Sequence, residues 1–177
     1  MTGVQTCALP IWGEEVKKWK VLTAAGLVLW ITLLGASRVH AEEVIITDEV
    51  VFWSEKYGKE YEIAPEVIQA MVWVESRCDP LAQSPDKSCK GLMQIKPSCH
   101  RERMDRLGAR NVFGVWENLK TGTDYLAELA QEEEDIAVAL ARYNGQSPEK
   151  IEKTRNGEYS GYVKKVLDLA EELERRN

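Results

Sequence analysis

The sequence Pro-Glu-Val-Ile-Gln-Ala-Met-Val-Trp-Val-Glu-Ser occupies residues 65–76 and decides the fold. Its proline suits the first turn of a helix, where the missing N–H donor is not needed. Apolar residues follow on most faces, which is typical of a central, buried helix. Four residues are spaced i, i+3, i+4 and i+7 and therefore share one stripe: Ile68, Met71, Val72 and Glu75. A carboxylate thus lies on the apolar stripe of the most hydrophobic helix predicted in the chain.

Glu75 is the residue that does not fit this helix. Burying an ionised carboxylate costs free energy unless a cation pairs with it, and no Lys or Arg precedes Glu75 within one turn. Apolar surroundings raise the pKa of a carboxyl group, so Glu75 can hold a proton near neutral pH. A general acid requires that property. The alternative is a structural glutamate that pairs with a distant arginine or is exposed where the helix frays.

The chain beyond this helix predicts more helices and almost no sheet. Helical spacing and turn signals predict further segments at 48–60, 98–107 (capped by Ser98), 118–132, 135–143, a short piece from Pro148, and 159–176. Residues 78–89 contain several helix breakers and are expected to form a loop. No strand pattern is strong, so any sheet must be small and lie between Ser84 and Ile95. The predicted fold class is mainly α, with at most a very small β-element.

Residues 1–41 are predicted to be a leader rather than part of the fold. An apolar run at residues 21–36 follows a lysine-rich stretch and precedes a small residue, Ala41. This order is typical of a secretory signal peptide, and the run is short for a membrane span. We therefore expect secretion or location at the cell envelope, with an uncleaved membrane anchor as the alternative. Residues 1–11 resemble a translated sequencing adapter, and the alternative is a long natural n-region.

The composition excludes several classes of function. A formal net charge of −6 and a pI near 5.1 argue against a nucleic-acid partner, because nucleic-acid binding needs clustered Lys and Arg. Only two histidines occur, so no metal site is expected, and no Walker or dinucleotide glycine motif is present. In a secreted chain, Cys78 and Cys89 are the preferred disulfide pair. Cys89 with Cys99 is the alternative, because sequence does not decide connectivity.

Three short motifs occur in a fixed order after the predicted leader: Glu75-Ser76, Gly91-Leu92-Met93-Gln94-Ile95 with Pro97, and Ala141-x-Tyr143-Asn144. Each motif alone is unspecific. Together they resemble the soluble lytic transglycosylase domain, a lysozyme-like fold that cleaves bacterial peptidoglycan. The resemblance runs from about residue 51 to residue 173. It implies that residues 42–177 form a lytic transglycosylase catalytic domain.

The resemblance also implies a reaction and the residues that carry it out. Glu75 matches the sole catalytic acid/base, which protonates the oxygen between N-acetylmuramic acid and N-acetylglucosamine. It then accepts the proton of the muramic C6 hydroxyl, which closes a 1,6-anhydro ring without water or a second carboxylate. Five residues match the substrate groove: Ser76, Met93, Gln94, Tyr143 and Asn144. The implied partner is the peptidoglycan glycan strand, and we expect a monomer that needs no cofactor.

Alternatives stay open for the site and for the function. Met93 also suits a core, and Asn144 is a common stop signal for a helix. Gln146 stands where the family often has a glycine, so its contribution is open. A lysozyme-like muramidase would release reducing ends with the help of a second acid, and a non-catalytic cell-wall-binding module would need no buried acid. A cell-envelope partner is expected to help targeting, because the sequence shows no separate wall-binding module.

Overall fold

The computed structural model describes residues 43–176, and the predicted leader at 1–41 lies outside them. Seven helices are formed by the described residues: α1 (Asp48–Tyr61), α2 (Pro65–Ser76), α3 (Pro97–Leu107), α4 (Val115–Glu133), α5 (Ile136–Tyr143), α6 (Pro148–Arg155) and α7 (Gly161–Glu174). Two isolated antiparallel bridges, joining Lys90 to Gln83 and to Ile95, are the only β pairing in this part of the chain. The mainly α fold class is therefore confirmed.

Most helix ends lie close to their predicted positions. The range of α2 is the predicted one, and its proline occupies the first turn. The side chain of Thr47 caps α1 by accepting the N–H of Val50. The prediction that Ser98 caps α3 is wrong, because that helix begins at Pro97 and Lys96 occupies the N-cap position. Proline starts this helix one residue earlier because its fixed φ is already helical.

The core is built around α2. Ile68, Ala70, Met71 and Val72 have no exposed surface, which agrees with a helix that is apolar on most faces. Helices α1 and α7 pack against α2, while α4 packs against α1, α3 and α5. The contact with α7 matters for function, because it brings the first turn of α7 beside the last turn of α2. Among residues 43–176, no helix combines the length and apolar character needed to cross a bilayer.

Asn118 fastens the segment 90–95 to the core. Its buried side-chain amide donates to the carbonyls of Lys90 at 2.9 Å and Val112 at 2.7 Å, and accepts the N–H of Met93 at 2.7 Å. Gly91 has a positive φ of 77°, and a Cβ on it would collide with the Asn118 amide. A residue with a side chain would therefore separate this segment from α4. The anchored segment positions one side of the candidate site.

Candidate active site

Glu75 lies in the last turn of α2 and is half-buried. The hydroxyl of Tyr162, in the first turn of α7, donates to Glu75 Oε1 at 2.7 Å. Burial raises the pKa of Glu75 above its ordinary value of 4.5, and the hydrogen bond from Tyr162 offsets part of that rise by favouring the charged form. No charged side chain in residues 43–176 contributes to the shift. A neutral donor therefore holds a carboxyl group that keeps its proton to a higher pH than an exposed glutamate.

Tyr162 is the site residue that sequence reasoning missed. It occupies a half-buried position on α7, between the exposed Gly161 and the fully buried Val163. Burial, followed by the nearby charge of Glu75, raises the pKa of Tyr162 far above its ordinary value. The hydroxyl is therefore neutral and acts as a donor. The available signal was a tyrosine on an apolar stripe, since a buried hydroxyl needs a hydrogen-bond partner. That signal does not identify Glu75 as the hydrogen-bond partner.

Tyr143 is the last residue of α5 and is half-buried. Its hydroxyl donates to the carbonyl of Met93 at 2.9 Å, and its ring packs against Tyr125 at 5.2 Å between centroids. Burial raises the pKa of Tyr143, and the charge of Glu75 raises it further, so the two groups are close enough to interact. Tyr143 is therefore joined to the segment 90–95, and its role at the site stays a prediction.

Met93 and Gln94 occupy different environments although they are neighbours in the chain. The Met93 side chain has no exposed surface, and a Cβ on Gly122 of α4 would lie 2.5 Å from its sulfur. The expected contact of this side chain with substrate is thus corrected to a core role, because Gly122 opens a slot that the thioether fills. Gln94 is half-buried, has a positive φ of 48°, and donates from Nε2 to the Gly91 carbonyl at 2.9 Å.

The remaining predicted groove residues lie near the ends of helices. Ser76 is half-buried and its hydroxyl donates to the Val72 carbonyl at 3.0 Å, within α2. Asn144 is exposed and ends α5, which agrees with its reading as a helix stop. Gln146 turns away toward α7, where its Nε2 donates to Ser160 Oγ at 2.7 Å. Because Ser160 caps α7, Gln146 supports the helix that carries Tyr162.

The preferred disulfide is not formed. Cys78, Cys89 and Cys99 are all free thiols. Burial raises the pKa of the Cys78 thiol, which makes a hydrogen bond to the backbone of Thr47 at the start of α1. Cys89 instead contacts Ser88 Oγ at 3.7 Å and lies close enough to Tyr143 to affect its pKa. The two thiols therefore have separate surroundings, and the Cys78–Cys89 prediction is corrected on that ground. In the described part of the chain, no group of three His, Cys, Asp or Glu side chains could hold a metal ion.

Comparisons with known proteins agree with this arrangement. Residues 52–164 match the family described as the transglycosylase SLT domain. A similar protein is the membrane-bound lytic murein transglycosylase F of Desulfosudis oleivorans, which is 35% identical over 86 residues, or 45% of this chain. The aligned part spans 18% of that relative's length. Since the family match covers more than half of the chain, including Glu75, Tyr143 and Tyr162, the chain belongs to the transglycosylase SLT domain family.

Proposed function

We propose that residues 42–177 form a peptidoglycan lytic transglycosylase with Glu75 as its single acid/base. The enzyme would cleave the β-1,4 bond between N-acetylmuramic acid and N-acetylglucosamine and leave 1,6-anhydro-muramic ends. The observation that carries the proposal is the Glu75 carboxyl group, which is half-buried on an apolar helix, has a raised pKa and accepts a hydrogen bond from Tyr162. Membership of the family and a relative named as a murein transglycosylase support the same substrate class.

The chemistry follows from the two protonation states of Glu75. The protonated carboxyl donates its proton to the glycosidic oxygen as the bond from C1 of muramic acid to that oxygen breaks. The resulting carboxylate accepts the proton of the C6 hydroxyl, whose oxygen attacks C1 and closes the anhydro ring. Tyr162 favours the charged form that arises between these steps, because its hydroxyl donates to Oε1. Oε2 is then the oxygen that carries the proton.

The isolation of Glu75 favours this reaction over hydrolysis. Glycosidases that use water or a covalent intermediate commonly place a second carboxylate about 5–10 Å from the first. Among the described residues, burial and the hydroxyl of Tyr162 are the causes of the pKa shift of Glu75, and no carboxylate contributes to it. Transfer to the internal C6 hydroxyl needs no such group. A muramidase would need its second acid from elsewhere.

Analysis of the digestion products tests the proposal directly. We expect purified peptidoglycan incubated with the protein to release muropeptides with anhydro-muramic ends, identified by mass spectrometry. Reducing ends would instead establish the muramidase. Folded protein that binds the polymer but releases nothing would establish the wall-binding module.

Glu75→Gln tests the assignment of the acid. Because a positioned acid/base contributes about 10²- to 10⁴-fold to a rate, we expect at least a hundredfold loss of muropeptide release. Glu55→Gln is the matched control, because Glu55 is an exposed glutamate on α1 and its replacement should leave the rate unchanged. Equal activity of both variants would show that another residue is the acid.

The cell envelope is the proposed location. The relative is named as a membrane-bound protein, and residues 1–41 are predicted to be a secretory signal or an anchor. An envelope partner is proposed to assist its targeting. The enzyme is proposed to work as a monomer. Four residues are proposed to face the glycan strand: Ser76, Gln94, Tyr143 and Asn144. Fractionation of cells that produce the full chain, followed by immunodetection, tests the location. Full-length protein found only in the cytoplasm would contradict it.

A further inference from the structure

A cavity of about 370 Å³ lies beside α3, on the side of that helix that does not face Tyr125. Its floor is apolar, because the buried Met104 and Ala109 and the half-buried Pro97 and Val112 line it. A rim of charged side chains surrounds this floor: Lys90, Arg101, Arg110 and Asp105. None of these residues hydrogen-bonds to Glu75 or shifts its pKa. The lining of the cavity therefore shares no residue and no hydrogen bond with the carboxyl group of Glu75.

The positively charged side chains on this rim differ from most arginines of the described chain in how they are paired. Elsewhere in residues 43–176, six arginines pair with a carboxylate: Arg103, Arg106, Arg142, Arg155, Arg175 and Arg176. Arg101 and Arg110 form no ion pair with any described carboxylate, although Asp105 lies one helical turn from Arg101. The ammonium of Lys90 lies over the ring of Phe113 at 5.7 Å instead of beside a carboxylate. In an acidic chain, three such cations around one apolar floor indicate an anionic ligand.

We propose that this cavity binds the C-terminal end of a peptidoglycan stem peptide. This inference rests on the proposed function for its choice of polymer. Stem peptides end in D-alanine residues, which combine a free carboxylate with small methyl groups. Arginine can bind a carboxylate through two parallel hydrogen bonds, so Arg101 and Arg110 suit that group. The floor formed by Met104, Ala109 and Val112 suits the methyl groups.

Asp105 favours a peptide over a wall polymer built on phosphate. Its carboxylate lies on the same rim and repels a chain of repeated negative charges. A peptide offers N–H donors that can bond to it, together with a single carboxylate for the arginines. Because Glu75 is not part of the lining, peptide binding in the cavity would hold the strand while its glycan is cleaved.

Titration of the full chain with diacetyl-L-lysyl-D-alanyl-D-alanine, followed by calorimetry or NMR, tests the site without relying on catalysis. We expect saturable binding, and at least about tenfold weaker binding of the same peptide with a C-terminal amide. Arg101→Ala and Arg110→Ala should each weaken binding by about 10- to 100-fold, because each removes a charge-assisted hydrogen bond. Arg175→Ala is the matched control, since Arg175 is exposed and remote in sequence from the cavity, and it should bind as the unaltered protein does.

The outcomes separate this inference from the proposed function. Arg101→Ala and Arg110→Ala should cleave glycan strands stripped of peptides at the unaltered rate and cleave intact peptidoglycan with a higher KM. Cleavage of peptide-free glycan without any peptide binding would overturn the inference and leave the function standing. Equal binding of the acid and the amide, or tighter binding of glycerol phosphate than of the peptide, would also overturn it. Arginine-dependent peptide binding by a chain that cleaves nothing would support the site and remove the function.

Discussion

Glu75 and Asp124 are both partly buried carboxyl groups on helices, and their surroundings shift their pKa values in opposite directions. Burial raises the pKa of each group. At Asp124 this rise is outweighed by hydrogen bonds and charges from Arg106 and Arg103, so the pKa falls below its ordinary value. At Glu75 the only opposing contribution is the neutral hydroxyl of Tyr162, so the pKa stays raised. Partner charge, rather than depth of burial, decides the difference.

The two carboxyl groups also serve different ends. Asp124 joins three helices, because Arg103 and Arg106 reach it from α3 and the hydroxyl of Tyr61 reaches it from α1. The charge of Asp124 therefore stabilises the packing of α1 and α3 against α4. Among the described residues, the Glu75 side chain joins α2 to α7 through the hydrogen bond from Tyr162. Because no cation among residues 43–176 fixes its charge, Glu75 can gain and lose a proton during a reaction.

Asp124→Asn removes the charge that pairs with Arg103 and Arg106, and it should have the largest effect on stability. The Arg103 side chain is only 12% exposed, so removing its main counter-charge leaves a poorly solvated cation. We expect a loss of about 3 kcal/mol in the free energy of unfolding, measured by urea denaturation. Glu128→Gln is the control, because Glu128 pairs with the same arginine but is 52% exposed, and it should cost less than about 1 kcal/mol. Similar losses in both variants would mean that burial does not set the value of the pair.

Tyr162→Phe tests the catalytic side of this comparison, because it removes the hydroxyl group that donates to Glu75. The hydroxyl lowers the pKa of Glu75, so its loss should raise that pKa further and keep the acid protonated to higher pH. We expect the alkaline limb of the pH–rate profile to move to higher pH. The maximal rate should fall about 10- to 100-fold, because the carboxylate formed during the reaction loses its donor.

Tyr159→Phe is the control for that measurement. Tyr159 is 38% exposed and precedes α7 by two residues, so its hydroxyl should be dispensable. The profile of this variant should match that of the unaltered protein. A lower rate for Tyr162→Phe with no shift of the alkaline limb would show that the tyrosine does not act through the pKa of Glu75.

The sequence predicted the parts of this comparison that depend on local pattern. Ile68, Met71 and Val72 define an apolar stripe by spacing alone, and Glu75 stands out on it because a charge there is costly. Helix positions follow from the same periodicity and from prolines at helix starts. The mainly α class and the small β-element near residues 84–95 needed nothing more.

The parts that it did not predict depend on contacts between distant residues. Tyr162 lies 87 residues from Glu75, and no local rule pairs them. Met93 was assigned to the groove from a motif, but Gly122 on another helix provides the slot that buries it. The disulfide prediction was overturned for the same reason, since the Cys78 thiol is free and bonds to the backbone of Thr47, which is farther from it in the sequence than Cys89 is. Tertiary packing, rather than the local sequence, determines each of these contacts.

Glu75→Gln should have a smaller effect on stability than Asp124→Asn, and the opposite sign. A raised pKa in the folded protein means that Glu75 contributes most to stability when protonated, below its ordinary value of 4.5, and loses that contribution as the pH rises through the folded pKa. Glutamine stays neutral at every pH, so we expect a gain of the order of 1 kcal/mol at about pH 7 and none at about pH 3. Thermal unfolding at both pH values measures this. A variant less stable than the unaltered protein at neutral pH would mean that the Glu75 charge stabilises the fold, as the charge of Asp124 does.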